Sequence, residues 1–182
     1  MREEKIITVF GSSRSQEGEP AYEEARTLGR ALVEHGFAVC TGGYGGAMAG
    51  ASCGAKEAAG KTYGVTAESF SAKANRWIDV EVRVATWQDR LFELVRLADG
   101  FVACRGGTGT LVELAVVWEM QNKSVMPAKP FAVLGDFWLP IIEQVRAAEL
   151  AHGAPCGEAR GRLIRSGISP QEVAHYLAGK LK

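Results

Sequence analysis

The chain has 182 residues, of which 47% are hydrophobic, and its 21 basic residues are balanced by 21 acidic residues. This length fits one domain, residues 1–182, with a sizeable core. A net charge near zero offers no basic footprint for nucleic acid or a membrane surface, and no apolar stretch approaches the ~20 residues of a membrane span. We therefore expect no nucleic-acid partner and no membrane partner. Because no signal-peptide pattern precedes the first strand, we expect a cytoplasmic protein.

Apolar strands alternate with amphipathic helices along the chain. The predicted strands cover residues 6–10, 37–41, 62–66, 80–85, 100–104 and 130–134. The predicted helices cover residues 22–35, 46–59, 87–98, 111–122, 139–150 and 170–177, and residues 67–79 are predicted to form a loop. This alternation predicts right-handed βαβ units and hence an α/β fold, a Rossmann-like three-layer α/β/α sandwich with a mostly parallel sheet. The basic tail residues Arg160, Arg162 and Arg165 are expected to lie on a solvated surface.

The cysteines and histidines do not suggest a metal site. Cys40, Cys53, Cys104 and Cys156 are far apart and form no C-x-x-C pair, and the three histidines are scattered. We expect reduced, mostly buried thiols and no metal ion. No lysine stands out as a pyridoxal-phosphate attachment site, so no cofactor is predicted.

Three turns rich in glycine or serine follow predicted strands, at residues 11–14, 42–46 and 106–110. In parallel sheets ligands bind beyond the carboxyl ends of the strands, so we expect these turns to face one crevice. The first turn lacks the G-x-G-x-x-G pattern of dinucleotide-binding proteins, and no Walker A pattern is present. The second turn is only a loose match to dinucleotide binding.

Residues 105–113 are the most informative stretch, because a Gly-rich turn leads there from a buried strand into a helix. Backbone N–H groups and the helix dipole make such a turn a natural seat for phosphate. Glu113 then places a carboxylate beside the seat. Alternatively, Thr110 and Glu113 form a capping box with a purely structural role.

Arg90 lies on the flank of an apolar helical stripe. The stripe comprises Trp87, Leu91, Leu94, Val95 and Ala98. Thr86 and Asp89 have the spacing of a capping box at the start of this helix. An arginine at the buried edge of a helix needs a partner, so Arg90 either forms a structural ion pair or enters the crevice to hold an anion.

These residues resemble the LOG family, whose members were long labelled possible lysine decarboxylases. Its signature P-G-G-x-G-T-x-x-E matches residues 106–113 in full, whereas Arg105 stands at the proline position. Arg90 lies sixteen residues before the first glycine, as in the family, but Leu91 follows it where lysine is common. The turns at residues 11–13 and 42–50 also look like those of the family, and the resemblance covers about residues 6 to 145.

The resemblance implies a homodimeric phosphoribohydrolase that splits a nucleoside 5′-monophosphate, such as a cytokinin nucleotide or AMP, into free base and ribose 5-phosphate. It implies that Arg90 and Glu113 are catalytic. The implied substrate-binding residues are Ser12, Ser13, Gly43, Gly46, Met48, Gly106, Gly107, Thr108, Gly109 and Thr110. Some relatives bind molybdenum cofactor, so a non-catalytic nucleotide or molybdenum-cofactor carrier is the alternative. The second half of the helix that begins at Leu111, from Val116 to Met120, is predicted to contribute to a dimer face, because residues 114–118 form an apolar run.

Overall fold

A computed structural model describes residues 4–151 and 164–181. Its strands are β1 (Lys5–Phe10), β2 (Phe37–Thr41), β3 (Thr62–Ala67), β4 (Val80–Val84), β5 (Gly100–Ala103), β6 (Phe131–Leu134) and β7 (Ile164–Gly167). Its helices are α1 (Pro20–Glu34), α2 (Ala47–Glu57), α3 (Trp87–Leu97), α4 (Thr108–Asn122), α5 (Leu139–Ala151) and α6 (Pro170–Leu181). The predicted α/β Rossmann-like fold is confirmed, and every strand pair is parallel.

The strand order β4-β3-β2-β1-β5-β6-β7 places β1 at the centre of the sheet. The chain moves outward from β1 through β2, β3 and β4, returns to β5 beside β1, and then moves outward on the other side. The connections after β1 and β5 therefore diverge to opposite sides. Such a switch point opens a crevice at the carboxyl ends of the strands, where α/β proteins bind ligands.

Side chains that alternate along β1 supply two separate cores, one on each face of the sheet. Ile6 and Phe10 belong to the core that contains α3, α4 and α5 residues. Ile7 and Val9 belong to the other core, with residues of α1, α2 and α6. This is the period-two alternation of a strand covered on both faces, which is why β1 appears in the sequence as an uninterrupted apolar run.

Strand β7 was not predicted from the sequence. It pairs with β6 at one edge of the sheet and buries only its first and last residues. Four residues with two polar side chains do not produce an apolar period, so the strand depends on its pairing with β6. Arg165 lies exposed on β7, as expected, whereas Arg160 and Arg162 lie outside the described residues.

The described cysteines behave as predicted, since Cys40, Cys53 and Cys104 are buried thiols that form no disulfide bond with one another. Cys156 lies outside the described residues. Within residues 4–151 and 164–181 no group of His, Cys, Asp or Glu is arranged to hold a metal ion. No helix among those residues has the length and apolar character that would be needed to cross a bilayer.

Candidate functional site

A pocket of about 540 Å³ opens at the carboxyl ends of the central strands. Its lining comes from the turns after β1, β2 and β5, from the β3–β4 connection and from α2, α3 and α4. The lining residues are Gly11, Ser12, Ser13, Arg14, Tyr44, Met48, Phe70, Trp87, Arg90, Gly107, Thr108, Gly109, Thr110 and Glu113. The structure thus brings together nine of the twelve residues expected at the site. Gly43, Gly46 and Gly106 lie in the adjoining turns but do not line the pocket.

The residues at the N-terminus of α4 line this pocket. The helix begins at Thr108, and its N-cap, Gly107, has no side chain that could accept a hydrogen bond from the first turn. By contrast, the neighbouring helix α3 has the predicted capping box, in which Thr86 and Asp89 exchange hydrogen bonds. Unpaired N–H groups and the positive end of the helix dipole favour an anion at the start of α4.

The predicted capping box of Thr110 and Glu113 is wrong. Helix α4 starts three residues earlier than expected, because the Leu111 N–H already donates to the Gly107 carbonyl at 3.0 Å. Thr110 therefore lies inside the first turn and cannot be the N-cap. Glu113 therefore does not cap its helix, and its side chain faces Arg90.

The three glycines of the 106–110 turn serve different purposes. A Cβ atom on Gly106 would lie 2.2 Å from Thr110 Oγ1, so packing within the turn requires glycine there. A Cβ atom on Gly107 or Gly109 would meet no protein atom within 4 Å. Gly107 and Gly109 therefore leave open space beside the uncapped helix end, in the volume where an anion would sit.

Arg90 is held rigidly by backbone carbonyl groups. Its Nε donates to the Val65 carbonyl at 2.9 Å, and its Nη2 donates to the Gly42 carbonyl at 3.0 Å. The guanidinium lies 5.3 Å from the centre of the Tyr44 ring, and the residue is only 6% exposed. These contacts orient the remaining nitrogen, Nη1, toward Glu113.

Glu113 and Arg90 form a buried ion pair on the floor of the pocket. The distance from Glu113 Oε1 to Arg90 Nη1 is 3.8 Å, and the glutamate side chain is 15% exposed. Burial raises the pKa of Glu113 to about 7, and Arg90 opposes that rise. Burial lowers the pKa of Arg90, while Glu113 favours its charged form. A carboxylate poised near neutrality is a common property of groups that act in catalysis.

Gly42 was not predicted as a site residue, yet it makes room for the arginine. A Cβ atom there would lie 1.5 Å from Arg90 Nη2. Gly43 and Gly46 have positive φ angles of 77° and 67°, a conformation that favours glycine. Gly46 also passes so close to the Ser12 carbonyl that a Cβ atom would lie 2.1 Å from it. The 42–46 turn thus supports the site mainly through its shape.

Ser12 connects the turns around the pocket. Its N–H donates to the Arg105 carbonyl at 3.2 Å, and its own carbonyl accepts from the Ala47 N–H at 2.8 Å. The Arg14 N–H donates to Ser12 Oγ at 3.1 Å, so the exposed Arg14 is held at the pocket rim. The convergence of the three turns, expected from the sequence, is therefore built from direct backbone contacts.

Arg105, which stands in place of the signature proline, turns away from the pocket lining. Its guanidinium carbon lies 4.7 Å from the centre of the Phe137 ring. Phe137 packs edge-on against Trp138, whose Nε1 donates to the Cys104 carbonyl at 2.9 Å. Arg105 thus makes a cation–π contact with a residue that does not line the pocket.

Three aromatic residues at the pocket were missed by the sequence reasoning. The helical period predicts Trp87 on the buried stripe of α3, but the residue is 40% exposed because it occupies the first position of the helix. Phe70 lies in the connection treated as a plain loop and is 38% exposed. Tyr44 lies in the second Gly-rich turn, and an aromatic residue among four glycines is the sequence feature that could have identified it as a pocket residue. Trp118, by contrast, packs in the core.

Comparisons with known proteins agree with the fold. An uncharacterized protein of Archaeoglobus fulgidus is 27% identical over 128 residues, which cover 70% of this chain and 82% of that protein. The molybdenum cofactor binding protein of the phototrophic bacterium Rippkaea orientalis superposes with a TM-score of 0.76, at 25% identity and over the full length of both chains. The molybdenum cofactor carrier protein of Chlamydomonas reinhardtii superposes with a TM-score of 0.73 at 21% identity over 98% of each chain.

A family profile matches most of the length of the chain. The profile of the SLOG cluster4 family matches residues 4–146, a region that contains the turns, Arg90 and Glu113. The match does not single out the LOG family that the signature residues resemble. The chain belongs to the SLOG cluster4 family.

Proposed function

We propose that the protein hydrolyses the N-glycosidic bond of a nucleoside 5′-monophosphate to a free base and ribose 5-phosphate. The observation that carries this proposal is the position of Glu113, a buried carboxylate paired with Arg90 in the same pocket as the uncapped N-terminus of α4. A site that only held an anion would gain nothing from a buried carboxylate, since like charges repel.

Each part of the pocket has a distinct role in this proposal. The first N–H groups of α4, together with the rim arginine Arg14, bind the 5′-phosphate. This contact fixes the ribose so that its anomeric carbon faces Glu113. Cleavage passes through a transition state with oxocarbenium character, which a carboxylate stabilises directly or through the attacking water.

Arg90 acts on Glu113 in this scheme rather than on the phosphate. Two of its nitrogens are engaged by the carbonyls of Val65 and Gly42, and Nη1 faces the carboxylate. Its charge opposes the rise in the pKa of Glu113 that burial causes, and so maintains a fraction of the ionised form near neutral pH.

A panel of nucleoside monophosphates tests the proposal. Purified protein is incubated with excess AMP, GMP, CMP or a cytokinin-type monophosphate, and free base and ribose 5-phosphate are measured. We expect release of base by the natural protein and no release by Glu113→Gln, with ligand binding retained. The absence of release from every monophosphate would remove the hydrolase proposal.

A second candidate function, a nucleotide or molybdenum-cofactor carrier, is supported by the similarity to the Rippkaea orientalis protein over its full length. That ligand also bears a phosphate, which would occupy the same seat at the start of α4. A carrier would show ligand-dependent thermal stabilisation without turnover. Glu113→Gln separates the two functions, because it would abolish hydrolysis but change carriage little.

We further propose that the active form is a homodimer whose contact surface includes the outer face of α4. Val112 and Val116 are half-buried there, Ala115 is exposed, and none of residues 114–118 is charged. Light scattering at micromolar concentration tests this proposal, and a monomeric mass would contradict it.

A further inference from the structure

Two aromatic side chains at the mouth of the pocket remain without a role in the scheme above. Among the exposed large apolar residues of the described chain, those that line this pocket are Phe70 and Trp87. Other exposed apolar residues, such as Phe92, lie elsewhere on the surface. Exposure of two large rings at one opening carries a solvation cost that a flat apolar ligand would remove.

A third aromatic residue of the pocket lining, Tyr44, is fixed beside Phe70. Its hydroxyl accepts from the Ala67 N–H at 3.0 Å and donates to the Ala67 carbonyl at 3.4 Å. Arg90 lies over the ring, and Phe70 contacts it at a centroid distance of 5.7 Å with an interplanar angle of 66°. Tyr44 therefore contacts both Phe70 and Arg90 from a position fixed by its hydrogen bonds to Ala67.

The loop that carries Phe70 is anchored to the turn that carries Tyr44. The Asn75 N–H donates to the Gly43 carbonyl at 2.7 Å, and Asn75 Nδ2 donates to the carbonyls of Gly43 and Tyr44 at 3.1 and 2.9 Å. These bonds connect the β3–β4 connection to the β2–α2 turn. Phe70 is thus presented by a braced loop, and little further ordering is needed when a ligand binds.

Trp87 approaches from a different element. It is the first residue of α3, three positions before Arg90, and the capping box of Thr86 and Asp89 fixes the helix start on which it stands. The anion seat at the start of α4 and the aromatic residues therefore belong to one pocket with two chemically different parts. One part is polar and suits phosphate, and the other is aromatic and suits a planar ring.

We infer that Trp87 and Phe70, supported by Tyr44, form a stacking subsite for the heteroaromatic base of a purine nucleoside monophosphate. This inference rests on the proposed nucleotide chemistry of the same pocket and adds the residues that select the base. A purine presents two large π faces, so it fits this pair better than a small aliphatic group would. Binding of the phosphate at α4 then contributes affinity for any nucleoside monophosphate, and the aromatic pair discriminates between bases.

Binding measurements with two probes test the inference. Calorimetry in the Glu113→Gln background compares AMP and GMP, which contain a base, with ribose 5-phosphate, which does not. We expect Trp87→Leu and Phe70→Leu each to weaken AMP or GMP binding by about tenfold, with the affinity for ribose 5-phosphate unchanged. Trp87→Phe should retain most of the affinity for AMP and GMP, because it keeps an aromatic ring. The matched control is Phe92→Leu, since Phe92 is an exposed aromatic residue elsewhere on α3.

Three results would overturn the stacking subsite. One is unchanged AMP and GMP affinity in both leucine variants. The second is an equal loss for ribose 5-phosphate, which would indicate a collapsed pocket. The third is binding of AMP and GMP no tighter than that of ribose 5-phosphate. Base release by the natural protein is measured separately, so aromatic-dependent binding without release would remove the hydrolase and retain the subsite.

Discussion

Arg90 Nη1 and Glu113 Oε1 lie 3.8 Å apart on the floor of a pocket whose other wall is an uncapped helix end. The two residues come from different helices, α3 and α4, that flank the switch point between β1 and β5. Apart from Glu113, the guanidinium contacts the carbonyls of Val65 and Gly42, the sulfur of Met48 and the ring of Tyr44, which all belong to the β2 and β3 side of the sheet. The pair therefore joins the two halves of the sheet at the site where the chemistry is proposed.

The first prediction concerns the pH dependence of hydrolysis. If Glu113 acts as a carboxylate, kcat/KM should rise with pH and level off above about 7, because burial raises the pKa of Glu113 to about 7. The phosphate of AMP also ionises in this range, with a second pKa of about 6. This pKa is measured on free AMP, and the kcat/KM profile is corrected for it. A kcat/KM that instead fell above neutrality would show that the protonated acid is the active form.

The same carboxyl group should make the stability of the protein depend on pH. Its pKa is raised in the folded state from the ordinary 4.5 to about 7, so its stabilising contribution is fully present below 4.5 and is lost as pH rises through 7. Urea unfolding at pH 5 and pH 8 measures this loss. Relative to Glu113→Gln, the natural protein should lose at most about 3 kcal/mol between these values. Parallel pH profiles for the two proteins would contradict the assignment.

How much of this site could be predicted from sequence differs between its parts. The Gly-rich turn, Arg90 and Glu113 were recognisable because each follows a regular pattern or matches a signature at fixed spacing. The start of α4 was not, because three glycines and two threonines in residues 106–110 allow more than one helix start. The choice of Gly107 as N-cap decides that Glu113 faces Arg90 rather than its own helix end.

The aromatic part of the pocket could not be predicted because it depends on contacts between distant segments. Phe70 lies in the β3–β4 connection, and Asn75 in the same connection donates hydrogen bonds to the turn after β2, more than thirty residues earlier in the chain. Trp87 fits the apolar stripe of α3 by periodicity, but a residue in the first turn has no preceding turn to cover it. The local sequence pattern therefore predicts a core position for Trp87 and an ordinary loop position for Phe70.

Gly42 offers a test of how Arg90 is positioned. In Gly42→Ala the new Cβ atom would lie 1.5 Å from Arg90 Nη2, so the guanidinium must leave its carbonyl partners. We expect at least a 100-fold loss of kcat/KM (on the scale of removing one preorganised group) and a destabilisation of about 3 kcal/mol. Gly45→Ala in the same turn is the control, because its Cβ atom meets only the Ser13 carbonyl, at 3.4 Å. Full activity in Gly42→Ala would mean that Arg90 is not needed in its observed position.

Gly109 should show opposite effects on stability and on ligand binding. A Cβ atom there meets no protein atom, and alanine favours the helix, so Gly109→Ala should stabilise the protein by up to about 1 kcal/mol. The same methyl group would enter the proposed phosphate volume and weaken AMP binding by about tenfold, which corresponds to ~1.4 kcal/mol. Thermal melting and calorimetry measure the two effects. Gly179→Ala in α6, where the space is also open, should give the stabilisation without the loss of affinity.

The last prediction separates the two arginines of the neighbouring turns. Arg14 lines the pocket, whereas Arg105 stacks on Phe137 outside it. Arg14→Ala should therefore weaken AMP and ribose 5-phosphate binding about fivefold, with a smaller effect at high salt. Arg105→Ala should leave both affinities within about twofold and cost about 0.5 kcal/mol of stability through the lost cation–π contact. A larger loss of affinity in Arg105→Ala than in Arg14→Ala would reverse these roles and would mean that the residue in place of the signature proline reaches the ligand.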